Sequence, residues 1–100
     1  MSKDEIDKIV ELCDRLLVIL VENKGQSHLP GVRSIMNSLS DEKFDIRERI
    51  EKSRSIFKTM MGGAGTLGDF VIWDNNEDRR LLLNQELDSV LSGIWELLGC

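Results

Sequence analysis

Apolar residues recur near the start of the chain at Ile6, Ile9, Val10, Cys13, Leu16, Leu17 and Leu20. Steps of three and four residues put them on one side of a helix, so the pattern predicts an amphipathic helix over residues 3–23. Ser2 is the expected N-cap, Asp4 and Glu5 fall in the first turn where the helix dipole favours acids, and Lys24-Gly25 is the stop signal. Every residue from Leu16 to Val21 is apolar, which predicts burial on more than one side. Residues 26–30 read as a connection whose last member, Pro30, is placed to start the next helix.

The second helix carries Val32, Ile35, Met36 and Leu39 on one stripe and ends near residues 38–40. A third, capped by Ser40 or Asp41 and running to Met60, turns Ile46, Ile50, Ser53, Phe57 and Met60 or Met61 inward. Its outer face holds Arg47, Glu48, Glu51, Lys52, Arg54 and Lys58, with Glu48 and Lys52 spaced as an ion pair. Phe70-Val71-Ile72-Trp73 is an apolar run that reads as a short strand or as an extended segment on the core, and no partner strand is visible. Asn75 or Asn76 caps the last helix, whose stripe is Leu83, Leu87, Val90, Leu91, Ile94 and Leu97 or Leu98, with Gly99 as its stop. The expected fold is all-α: one compact four-helix domain over residues 1–100, with an ordered glycine-rich loop between helices 3 and 4.

That loop, Gly62-Gly63-Ala64-Gly65-Thr66-Leu67-Gly68, holds four of the eight glycines of the chain. From Gly63 to Gly68 it spells GxGxxG, the phosphate-cradling pattern of dinucleotide sites. The pattern works there because it follows a strand and opens a helix, whereas here a helix precedes it, an apolar run follows it, and no Walker lysine is present. The structural reading is that the first glycines end the third helix in left-handed conformation and the others let the chain fold back, with Leu67 and Phe70 inward. Thr66 and Asp69 are placed to bond loop amides.

A formal charge of −5 and a pI near 4.8 oppose nucleic-acid binding, which needs a concentrated basic surface. The same acidity suits a basic protein partner, or serves solubility alone. Cys13 and Cys100 form no CxxC pair and no disulfide framework, so a reducing compartment is expected. With an acidic opening unlike a secretory signal and Leu16 to Val21 as the longest apolar run, the expected location is the cytoplasm, without membrane insertion. His28, the one histidine, excludes a multi-histidine metal site, and Asp74, Glu77 and Asp78 do not match a calcium loop. Burial of Cys13 opposes its use as a nucleophile with His28 as base. No catalytic, cofactor or metal residues are therefore expected, and the chain reads as a non-enzyme.

Candidate partner-binding residues remain. Asp4, Asp7, Glu11 and Asp14 recur at three- and four-residue steps and share one helix face, softened by Lys8 and Arg15. This stripe is either a solvated surface or a means of steering towards a cationic partner. Trp73 and Trp95 are large amphipathic side chains of the kind that anchor interfaces, and core packing is the alternative for both. Trp95, next to Ile94, should sit at the edge of its stripe and is the better interface candidate. Thr66 and Asp69 complete the set through the glycine loop.

From Gly62 to Ile72 the chain resembles a group of small bacterial helical proteins that carry Gly-Gly-x-Gly-Ser/Thr-apolar-x-Asp-apolar before a final helix. The resemblance covers about forty residues. Gly68 stands where a polar residue is common in that group. Some of those proteins look like cytoplasmic immunity proteins, encoded beside secreted antibacterial toxins that they bind and block. The resemblance implies a cognate toxin as partner, its basic surface facing the acidic chain, and occlusion of the toxin's active site or substrate surface. Two other expectations stand beside it: a self-associating structural or regulatory helical protein, with the apolar end of the first helix buried in a homodimer, and a small-ligand protein using the glycine loop.

Overall fold

Four helices, α1 (Lys3–Glu22), α2 (Leu29–Ser40), α3 (Ile46–Met61) and α4 (Glu77–Leu98), build the computed structural model of the chain, with 3₁₀ turns at Gln26–His28 and Leu67–Asp69. Residues 3–63 and 65–100 are described, and among them there is no strand. The expected Ser2 cap lies outside the described residues, as does Ala64 of the glycine run.

α2 lies along α3, α1 packs on both α2 and α4, and α3 also meets α4. Each helix thus adjoins the next around a bundle that α1 and α4 close. The stripes meet in one core, to which α1 gives Ile9, Cys13, Leu16 and Leu20, α2 gives Val32, Ile35 and Leu39, α3 gives Ile50 and Phe57, and α4 gives Leu87, Ile94 and Leu98. The radius of gyration, 13.7 Å, is close to the roughly 13 Å of a compact chain of this length.

The end of α1 differs from expectation in its chemistry. Lys24, not Gly25, takes the left-handed conformation, with φ +63°, and the Gly25 N–H donates to the Leu20 carbonyl at 2.7 Å. Gly25 is small for lack of room, since a Cβ there would lie 2.6 Å from Leu20 Cδ2 and 3.2 Å from Phe70. The all-apolar run is buried on one side rather than several: Leu16, Ile19 and Leu20 are in the core, while Val18 and Val21 are exposed.

α3 starts at Ile46, later than a cap at Ser40 or Asp41 predicts. Asp45 supplies the cap, accepting the Glu48 N–H at 2.8 Å, and Asp41 instead accepts the Lys43 N–H in a local turn. Two residues of the expected outer face also behave differently. Arg54 is half-buried and its Nε donates to the Leu98 carbonyl at 2.7 Å, satisfying a free acceptor at the end of α4. Lys52 does not pair with Glu48 among the described ion pairs; its ammonium sits 3.2 Å from the centre of the Phe44 ring, and Arg47 pairs with Glu51. Gly99 ends α4 in left-handed conformation, as its position predicts.

Candidate protein-binding face

The glycines between α3 and α4 take conformations other than the sequence predicts. Gly62 ends α3 in extended conformation, φ −103°, and the left-handed residues are Gly63 (φ +108°) and Gly65 (φ +77°). Gly68 serves a different need: a Cβ there would come within 3.0 Å of the Met61 carbonyl carbon and closer still to its oxygen. The glycines of the GxGxxG spelling thus provide turning and close backbone approach. The Gly65 N–H, one donor a phosphate would use, is held by Asp69 Oδ2 at 3.3 Å. Thr66 acts as a donor rather than an acceptor, its hydroxyl bonding the Gly63 carbonyl at 2.6 Å.

Beyond the turn, Leu67 is buried and Phe70 half-buried, with the His28 ring edge-on to Phe70 at 5.5 Å. The next residues alternate as an extended chain does. Val71 is 75% exposed, Ile72 2% and Trp73 74%. The backbone of Ile72 is matched by one side chain of α4, since Asn84 Oδ1 accepts its N–H and Asn84 Nδ2 donates to its carbonyl, both at 2.9 Å. The run is therefore extended but paired with an amide side chain instead of a strand.

α4 is started by Asn76, which accepts the Arg79 N–H at 3.0 Å. Asp74 accepts the Asn76 N–H and pairs with Arg79. Arg80 lies 4.6 Å from the Trp73 ring and pairs with Glu77. Asp74 and Glu77 are thus used in a local turn and in surface ion pairs, and among the described residues no group of three His, Cys, Asp or Glu is placed to hold a metal ion.

Two hollows line this flank of α4. Val71, Trp73 and Leu81 form an apolar groove with Glu77, Asp78 and Arg80 around it. Further along the helix, Met61, Gly68, Phe70, Leu91 and Trp95 form a cleft bordered by Asp88 and Glu96. Trp95 is 40% exposed, its ring centre 6.3 Å from that of Phe57, so the better presented tryptophan is Trp73. Leu81 and Leu82 are exposed too. Their sequence signal is the triplet Leu81-Leu82-Leu83, of which a helix can turn only part towards its core.

The structure places Trp73 and Trp95 along this flank, with Thr66 and Asp69 in the preceding turn, and leaves the acidic stripe elsewhere. Asp4, Asp7, Glu11 and Asp14 are all exposed, but none lines either hollow. α1 meets the other side of α4, where Arg15 pairs with Glu86 and Leu12 packs against Gly93. Two residues beyond Gly93, Trp95 is rotated by about 200° around the helix.

The thiol of Cys13 has no exposed surface, and burial, helped by the Asp14 charge, pushes its pKa up to about 12. Such a thiol is a poor nucleophile at neutral pH. No helix of the described residues is long and apolar enough to cross a membrane. No family model, curated protein or solved structure matches the chain.

Proposed function

We propose that the chain is a non-enzymatic binding protein of the immunity kind, which neutralises a cognate antibacterial toxin by covering its active site or substrate surface. The observation that carries the binding reading is the exposed apolar flank of Val71, Trp73 and Leu81. Grouped apolar surface rimmed by charge is a feature of interaction sites, and tryptophan is a frequent energetic anchor within them. The charge of −5 favours a partner with a basic surface. The toxin assignment rests on the resemblance of Gly62 to Ile72. In this reading the glycine-rich segment is an ordered loop that holds Val71 and Trp73 outward, and residues 1–100 act as one cytoplasmic domain without a cofactor.

The test is co-expression with a toxin domain encoded by an adjacent gene. A tight one-to-one complex that protects cells, weakened about tenfold or more by Trp73→Ala, is expected; no complex and no protection would overturn the proposal. Charge reversal at Asp7 and Glu11 should lower the association rate and its salt dependence if the α1 stripe steers the partner.

Val18 and Val21, exposed at the end of α1, favour self-association as a second reading. Sedimentation as a strict monomer removes it.

A further inference from the structure

We propose that the outer edge of residues 70–73 is a strand-addition site, which takes up an extended, basic segment of the partner with apolar side chains at alternate positions. This rests on the partner-binding reading of the same flank and specifies its mode.

In an extended chain the N–H and C=O of one residue point to one edge, and those of its neighbours point to the other. Asn84 takes both polar groups of Ile72. The N–H and C=O of Val71 and Trp73 are thereby directed away from α4, and they make no hydrogen bond among the described residues. Both residues are about three-quarters exposed. The result is a pre-extended edge, with one side satisfied by a helix and the other open. Such edges pair with incoming backbone, and alternate side chains supply specificity.

Charge selects the occupant. Four acids, Asp69, Asp74, Glu77 and Asp78, and two cations, Arg79 and Arg80, flank the edge; Arg79 pairs with Asp74 and Arg80 with Glu77, which leaves Asp69 and Asp78 as the excess negative charge. Asp78 has no ion-pair partner among the described residues. A second copy of the chain paired through this edge would set these acids against one another, whereas a basic segment would be attracted. Apolar residues on the outer face of that segment would lie beside Val71 and Trp73 as cross-strand neighbours.

The probe is a short acetylated peptide alternating valine with lysine, compared with one in which glutamate replaces lysine and with two lysine peptides N-methylated on one or the other set of alternate amides. Amide exchange is read on the whole chain. The lysine peptide should bind and slow exchange at Val71 and Trp73 by about tenfold or more, and only one N-methylated form should lose binding. Val71→Pro, which removes an edge donor while keeping an extended backbone, should lose binding with its thermal unfolding little changed. Free exchange at both amides, equal binding of the glutamate peptide, or equal binding of both N-methylated forms would overturn the proposal, as would protection that appears only with dimer formation. A toxin complex that forms normally with Val71→Pro would sink the edge alone; edge pairing by the peptide with no toxin complex would sink the immunity reading alone.

Discussion

Asn84 holds Ile72 by both of its backbone polar groups, and a further bond from Nδ2 to the Arg80 carbonyl at 2.8 Å fixes the amide's orientation on α4. One side chain thereby does what a neighbouring strand would do. It lets a single extended segment lie on an all-helical body with its inner edge satisfied. Replacing Asn84 with alanine should cost about 1–3 kcal/mol, because partly buried backbone groups lose their partners. Chemical denaturation measures the loss, and amide exchange at Ile72 should speed up more than exchange in α2.

The glycines rank themselves by cause. Gly68→Ala forces a methyl into the Met61 carbonyl, a backbone group that cannot swing aside, and should destabilise by about 1–3 kcal/mol. At Gly65 nothing lies within 4 Å of an added Cβ, so alanine meets only the left-handed penalty of about 1–2 kcal/mol. Asparagine at Gly65 should recover part of that loss, because it tolerates the left-handed region, and should recover nothing at Gly68. Thermal unfolding of the variants separates the two causes.

Helix order, the stripes and most of the core were legible in the chain, because apolar spacing reports burial directly. Ile50, Phe57, Leu87 and Ile94 are buried where the periodicity puts them. The start of α3 was not legible, since Asp41 and Asp45 are both good caps, and only tertiary packing decides that Asp41 turns the chain and Asp45 starts the helix. The binding flank was half legible. Trp73 stood out as a residue type, but its exposure depends on the hold of Asn84 on Ile72, twelve residues earlier in the sequence, and no local pattern announces that pairing. The relation of the acidic stripe to the tryptophans was not legible at all, because it depends on which side of α4 receives α1.

Burial of Cys13 links stability to pH. Its pKa is raised in the folded chain from 9.0 to about 12, so the unfolded chain loses its proton first. The resulting stabilisation is whole below pH 9 and is lost as pH rises towards 12. Cys13→Ala should flatten that part of the alkaline stability curve, at some cost in packing. A thiol reagent at pH 8 should label Cys100, which is partly exposed, well before Cys13.

Ser38 is the reverse of a stabilising polar group. Its hydroxyl is buried and has no hydrogen-bond partner among the described residues, whereas buried Ser53 donates to the Ile35 carbonyl at 3.4 Å. Ser38→Ala should therefore be neutral or stabilising by up to about 1 kcal/mol, and Ser53→Ala destabilising by about the same amount. Urea midpoints at equal m-value give the comparison.

The two tryptophans separate stability from recognition. Trp73 is 74% exposed and lies 4.6 Å from the Arg80 guanidinium, a contact worth about 0.5–1 kcal/mol at an exposed site. Trp95 covers Phe57, which has no exposed surface, and its removal opens the core beneath the cleft. Trp95→Ala should accordingly cost about 2 kcal/mol or more, and Trp73→Ala less than about 1 kcal/mol. Binding should show the opposite order once corrected for the fraction folded, with Trp73→Ala the more damaging. If Trp95→Ala weakens a folded protein's binding and Trp73→Ala does not, the recognition surface is the cleft at Leu91 and Trp95, and the groove at Val71 and Leu81 is not part of it.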